Sequence, residues 1–246
     1  MTNNEKYSEK YQIQLFEGDA NGCISLAMMM NIMLAISEHQ LGQLDISQQK
    51  LVQNYHVGWV ITQYHIDVKR APKIGETIIV GTQATGYNRF FCYRDFWIND
   101  TNGNELVNVH STFVMMDIKT RKIIPVIKEI VAKFDLEPST RIVRFPRIPH
   151  LDENKPIISQ DYRVRYFDID NNGHVNNTRY FDWMQDVLEF DFLQNHVIKT
   201  ADVRYEREVH YGEIAKSEAQ IVDENTTLHR IMNNDEVAAE AKFTWQ

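Results

Sequence analysis

Three side chains in the second half of this 246-residue chain have the types and spacing for hydrolytic chemistry. Asp170, Asn172 and His174 alternate in Asp170-Asn171-Asn172-Gly173-His174, so in an extended loop they point the same way and can converge. Val175-Asn176 then opens a helix, whose free N–H groups favour a developing negative charge. A carboxylate, an amide, an imidazole and a helix N-terminus are the parts of a hydrolytic site. The same loop has a bland reading. Asp-, Asn- and Gly-rich segments before helices are usually turns, and Asn176 would then merely cap its helix.

A comparison of the chain with itself shifts the balance. YQIQLFEGDANGCISLAMMMNIM from Tyr11 and YRVRYFDIDNNGHVNNTRYFDWM from Tyr162 match at a constant offset of 151, with Tyr11/Tyr162, Phe16/Phe167, Asp19/Asp170, Asn21/Asn172, Gly22/Gly173 and Met33/Met184 identical. KIGETI at Lys73 to Ile78 matches HYGEIA at His210 to Ala215. A repeat this long means two copies of one domain rather than a solenoid. Copy one has Cys23, Ser25, Leu26 and Ala71 where copy two has His174, Asn176, Asn177 and Glu208. The first copy thus reads as scaffold, and Glu208 joins the candidate site of the second.

Each copy must position that loop with the same elements. A short alternating strand precedes it, a helix follows, and long strands come after. In copy one the helix spans about Ser25 to Gln40 and is apolar nearly all round, which predicts burial. In copy two the helical spacing runs from Tyr180 through Trp183, Met184, Val187 and Leu188 to Phe192. One long helix packed on an antiparallel meander is an α+β layering. The expected organisation is a first domain over 1–137, a proline-containing linker over 138–157 and a second domain over 158–246.

Composition removes several classes. Hydrophobic residues make up 43% and charged ones 24%, the balance of a folded soluble chain. The Met-rich stretch near Ile24 to Ile36 is too short to span a bilayer, so no membrane insertion is expected. The start, MTNNEKYSEK, has no apolar signal run, and a cytoplasmic protein is expected. A net charge of −8 argues against nucleic acid as partner. Two cysteines and scattered histidines lack metal-ligand spacing, and no glycine-rich phosphate loop occurs, so neither metal nor cofactor is expected.

The stretch DIDNNGHVNNTRYFDW resembles the signature of the plant and bacterial acyl-acyl-carrier-protein thioesterases, tandem hot-dog proteins. GWVITQYHIDVKRAPKIGE, TGYNRFFCYRD and STFVMMDIKTRKIIP are similar to further family segments in the same order. The resemblance implies two hot-dog domains with sheets joined as a pseudo-dimer. It also implies hydrolysis of fatty acyl thioesters of acyl carrier protein at Asp170, Asn172, His174 and Glu208. A cysteine often follows the family's glutamate. Here Val209 stands there, which excludes a cysteine nucleophile at that position and favours a carboxylate mechanism.

By the same resemblance the first copy shapes the acyl cavity, with Met29 and Met33 as adaptable walls and Asn176 and Asn177 beside the substrate. The partner implied is acyl carrier protein, which is acidic. Between Lys119 and Arg147 eight basic residues face three acidic ones, a candidate docking region. A homodimer is left open. The alternatives are a hot-dog acyl-coenzyme A thioesterase, a hot-dog hydratase or dehydratase, and a non-catalytic lipid-binding hot-dog protein.

Overall fold

The computed structural model describes residues 6–139 and 142–246. Arg141, one of the expected docking residues, lies outside them. The duplication emerges as a palindrome in a single antiparallel sheet. The first half supplies β1 (Tyr7–Gln12), β2 (Val57–Val68), β3 (Thr77–Tyr87), β4 (Phe91–Asp100), β5 (Glu105–Asp117) and the short β6 (Lys122–Ile124). The second supplies β7 (Ile158–Arg163), β8 (Ile198–Tyr205), β9 (Ile214–Asp223), β10 (Thr226–Asn233) and β11 (Glu236–Trp245). Their order is β1-β3-β4-β5-β2-β8-β11-β10-β9-β7, with β6 beside β5.

The seam is the pairing of β2 with β8, from Gln63 opposite Arg204 to Asp67 opposite Thr200. Alternation along β2 sends Tyr64, Ile66 and Val68 into the core. His65 points to the other face, where its Nδ1 lies 2.6 Å from Asp202 Oδ1 across the seam. That hydrogen bond raises the imidazole pKa, and burial opposes it.

The helices cover one face. α1 (Leu26–Gln43) starts at Ser25, whose hydroxyl accepts from Met28 N at 3.3 Å. Its all-round apolarity has a cause: it packs on β3 and also against α4 (Arg179–Asp186) of the other half. Asn31, the polar interruption, accepts from Thr178 Oγ1 at 3.0 Å. The helix expected to continue to Phe192 instead stops at Asp186. Glu189 is extended, and α5 (Phe190–Asn195) restarts the helix. Val187 and Leu188 stay buried, while Phe192 lies edge-on to Trp245 and stacks on His196.

One buried cluster spans both halves beneath α1 and α4. A second, around Leu41, Leu51, Met115, Ile130 and Phe134, lies by α2 (Gln48–Tyr55) and α3 (Lys128–Val131). The described residues between Pro138 and Ile157 form no helix or strand. They cross the sheet by burying Ile148 and Leu151 and by bonding His150 to Glu240 and Asp152 to Gln220.

Candidate active site

The loop from Asp170 to His174 is closed by its own backbone. Asp170 N donates to His174 O at 2.9 Å, and Gly173 N donates to Asp170 O at 3.0 Å. Gly173 has φ +83°, which a residue with a Cβ rarely adopts. Val175 N donates to Val209 O at 2.9 Å, so the loop is tied to the chain after β8, bringing Glu208 beside it.

These bonds converge the four expected groups. Asp170 accepts from Asn172 N at 2.8 Å and from Asn172 Nδ2 at 3.3 Å. His174 Nδ1 is 3.1 Å from Val175 O, a contact that assigns the ring proton to Nδ1 and leaves Nε2 as acceptor in the neutral ring. Nε2 faces Glu208 Oε1 at 3.7 Å, and Nδ1 lies 4.0 Å from Asp170 Oδ1. Glu208 is in turn paired with Arg121, from the turn between β5 and β6 of the other half.

All four side chains open on a cavity of about 990 Å³ that extends into the first half. Its walls include Leu34, Leu41, Cys92, Phe113 and Phe134. Burial pushes the Cys92 thiol up to about 12, so it stands in the wall as a neutral group. Arg94, also in the wall, is buried and bonded to Gln40 at 2.7 Å and Thr82 at 2.9 Å. Burial lowers its guanidinium to about 10, and among the described residues no carboxylate pairs with it.

The two methionines expected in the wall lie away from this cavity. Met33 is fully buried in the core, and Met29 lines a different cavity of about 640 Å³, by Cys23 and Trp183. The helix face that reaches the first cavity is Leu34, Ser37, Glu38 and Leu41, because the sheet and the second half take the methionine face. Asn176 and Asn177 do border the first cavity, but their side chains hold structure. Asn176 Oδ1 accepts from Thr178 N at 3.0 Å, and Asn177 Nδ2 donates to Tyr64 OH at 3.1 Å.

The loop N–H groups are also largely spoken for. Those of Val175, Asn176, Thr178 and Arg179 donate to Val209, Asp168, Asn176 Oδ1 and Asn176 O, leaving Asn177 N–H as the unpaired donor of this stretch among the described residues. In the sequence Arg121 is one charge in the basic run between Lys119 and Arg147. Gln48, whose Nε2 lies 3.5 Å from Asn172 Oδ1, is a further neighbour of the site. No local signal marks either, since both reach the site from the other half. Among the described residues no three His, Cys, Asp or Glu side chains are grouped to hold a metal ion. No helix there is long and apolar enough to cross a membrane.

Comparison with known proteins agrees with this architecture. Residues 4–134 match the family described as acyl-ACP thioesterase N-terminal domain, and residues 151–246 match the acyl-ACP thioesterase C-terminal domain. A solved structure described as an oleoyl thioesterase from Lactobacillus plantarum is 38% identical, covering 99% of this chain and 97% of that one, with a TM-score of 0.95. The 12:0-ACP thioesterase from Umbellularia californica shares the fold at 19% identity, TM-score 0.87, over 98% of this chain and 97% of its own. The chloroplastic oleoyl-acyl carrier protein thioesterase of Coriandrum sativum is 24% identical over 96% of this chain and 68% of its own length. A second plant relative, from Arabidopsis thaliana, is matched over 62% of its length. The fold is the tandem hot-dog arrangement, helix on antiparallel sheet, twice.

Proposed function

This chain belongs to the acyl-ACP thioesterase family, and on that footing we propose that it hydrolyses fatty acyl thioesters of acyl carrier protein, releasing the fatty acid and the free carrier thiol. The observation that carries the reading is that Asp170, Asn172, His174 and Glu208 together border a largely apolar cavity of about 990 Å³, a volume in the range of small-molecule sites. The thioester carbon would lie near Asp170, which acts as nucleophile or base and is oriented by two hydrogen bonds from Asn172. The 3.7 Å between His174 Nε2 and Glu208 Oε1 suits a water shared by both, held for attack on the acyl group. Asn177 N–H is the loop donor available to the developing oxyanion.

The carrier would approach over the basic residues that follow β5. Arg144 and Arg147 are exposed, as an electrostatic docking surface requires. A cytoplasmic setting fits this partner. The domains would divide the work, 1–137 enclosing the chain and 158–246 carrying the chemistry, with 138–157 joining them. The decisive assay is thiol release from palmitoyl, oleoyl, lauroyl and octanoyl esters of the carrier and of coenzyme A. Faster release from carrier esters supports the proposal. Equal or faster release from coenzyme A esters makes this an acyl-coenzyme A thioesterase, and no release from either leaves a lipid-binding protein.

A further inference from the structure

Glu208 has two side-chain neighbours among the described residues with which it makes polar contact: His174 Nε2 at 3.7 Å and the guanidinium of Arg121. It lies after β8, in a segment held by backbone bonds from Glu206 N and Arg207 N to Ala238 O and from Val175 N to Val209 O. Those bonds place its Cα. They do nothing to choose among the rotamers of a three-torsion side chain.

Arg121 is delivered by a stiffer structure. It occupies a tight turn between β5 and β6, with φ +55° and its N–H donating to Asp117 O at 2.9 Å. Asp117 Oδ1 accepts from Thr120 N at 2.6 Å and Thr120 Oγ1 at 2.8 Å, closing the turn. β5 is itself paired with β2, β4 and β6. The guanidinium therefore reaches out from a braced hairpin of the first half toward a carboxylate of the second.

We propose that Arg121 is a positioning residue: it fixes the Glu208 carboxylate beside His174, so that the first half sets the geometry of the second half's chemistry. Arg121 Nη2 contacts Oε1, the same oxygen that lies 3.7 Å from His174 Nε2, so the guanidinium holds that oxygen where it can share a water with the imidazole. A planar guanidinium constrains a carboxylate's orientation in a way that a lysine ammonium, a point charge on a flexible stem, does not. The role rests on the hydrolase reading above. It also differs from the docking role that Arg121 would have as one member of a basic run, because docking would act on carrier affinity and positioning on the chemical step.

The test compares Arg121→Gln, Arg121→Lys, Glu208→Gln and the double variant Arg121→Gln/Glu208→Gln, with kcat and KM measured on the best carrier-bound acyl ester. Arg121→Gln is expected to lower kcat by about 10- to 100-fold while KM stays within about threefold. Arg121→Lys should recover only part of the loss. The double variant should be no slower than Glu208→Gln alone, since a group that acts through Glu208 has nothing left to position. Melting temperature should move by less than about 4 °C in Arg121→Gln, which separates positioning from fold support. Unchanged kcat with raised KM, or full additivity in the double variant, overturns the proposal and leaves a docking residue. A wild type inactive on every ester overturns the hydrolase reading and this role with it.

Discussion

The two halves share a backbone and differ in what they do with it. Asp19 N to Cys23 O at 2.8 Å repeats Asp170 N to His174 O at 2.9 Å, and Ile24 N to Pro72 O repeats Val175 N to Val209 O, both at 2.9 Å. Gly22 and Gly173 both take positive φ, +72° and +83°. Yet the first loop ends in Cys23, whose thiol burial pushes upward and keeps neutral, and faces Ala71 where the second faces Glu208. Asn21 Nδ2 is tied to Leu193 O at 3.0 Å, so even the retained amide is occupied. The cavities differ as well. The one beside the four groups takes Leu34, Cys92, Phe113 and Phe134 of the first half into its wall, whereas the cavity of about 640 Å³ is bordered mainly by the second half, where Trp245 donates to Thr227, which also bonds the fully buried His229 at 2.7 Å. On the proposed reading each task is done once: the first half supplies wall to the substrate cavity, and the second supplies the reactive groups.

The sharpest way to break that comparison is to make the same change in both loops. Asp170→Asn should lower the rate of thiol release by about two to four orders of magnitude. Asp19→Asn should leave it within about threefold, because its loop holds neither imidazole nor glutamate. Comparable losses in the two variants would mean that the first loop is not a scaffold.

Next in size is the contrast between the two cavities. Cys92→Trp adds bulk to the cavity wall and should raise the octanoyl-to-palmitoyl rate ratio by about 10-fold or more. Trp245→Ala should leave that ratio alone while costing about 3 to 5 kcal/mol of stability, read by urea unfolding. A chain-length shift in the Trp245 variant would place acyl binding in the wrong half.

Two titrations sharpen the comparison at smaller scale. Burial pushes the His229 imidazole down to about 3 from an ordinary 6.5. Between those values the unfolded chain takes up a proton that the folded one refuses, so stability falls as pH drops through that window. His229→Phe should flatten this acid-side loss, measured as unfolding midpoint against pH; an unchanged slope would remove His229 as its source. His65 has the opposite sign, because the Asp202 hydrogen bond raises its pKa above 6.5. Its contribution is complete below 6.5 and disappears as pH rises through the raised value. His65→Gln should therefore cost under about 1 kcal/mol on the acid side and nothing in alkali. A gap that persists in alkali would argue against the charged seam contact.

Much of this was legible in the sequence because the repeat carries it. The offset between Tyr11 and Tyr162 anticipates a sheet whose second half retraces the first, and Gly173 at a turn marks where the loop bends. The alternate spacing of Asp170, Asn172 and His174 anticipates their convergence. What stayed hidden has physical reasons. A helix apolar on every side carries no phase, so nothing local tells that Leu34 and Leu41, not Met29 and Met33, reach the cavity. Beyond the helix break, Phe192 packs edge-on against Trp245, a contact 53 residues away in the chain that no local pattern encodes. Arg121 and Glu208 meet only once β5 and β8 have been brought to the same sheet.

The β2–β8 seam also has a consequence for behaviour on dilution. Halves joined through one sheet by separate chains would come apart as the protein is diluted, and a cavity in one half facing reactive groups in the other would be lost with them. Tethered in one chain, each half meets its neighbour at an effective concentration that the linker sets and the test tube does not. Specific activity and melting temperature should thus stay level across dilution. The same tether removes the obligation of a symmetric pair to carry every substitution twice, which is how a cysteine can stand in one loop and a histidine in the other.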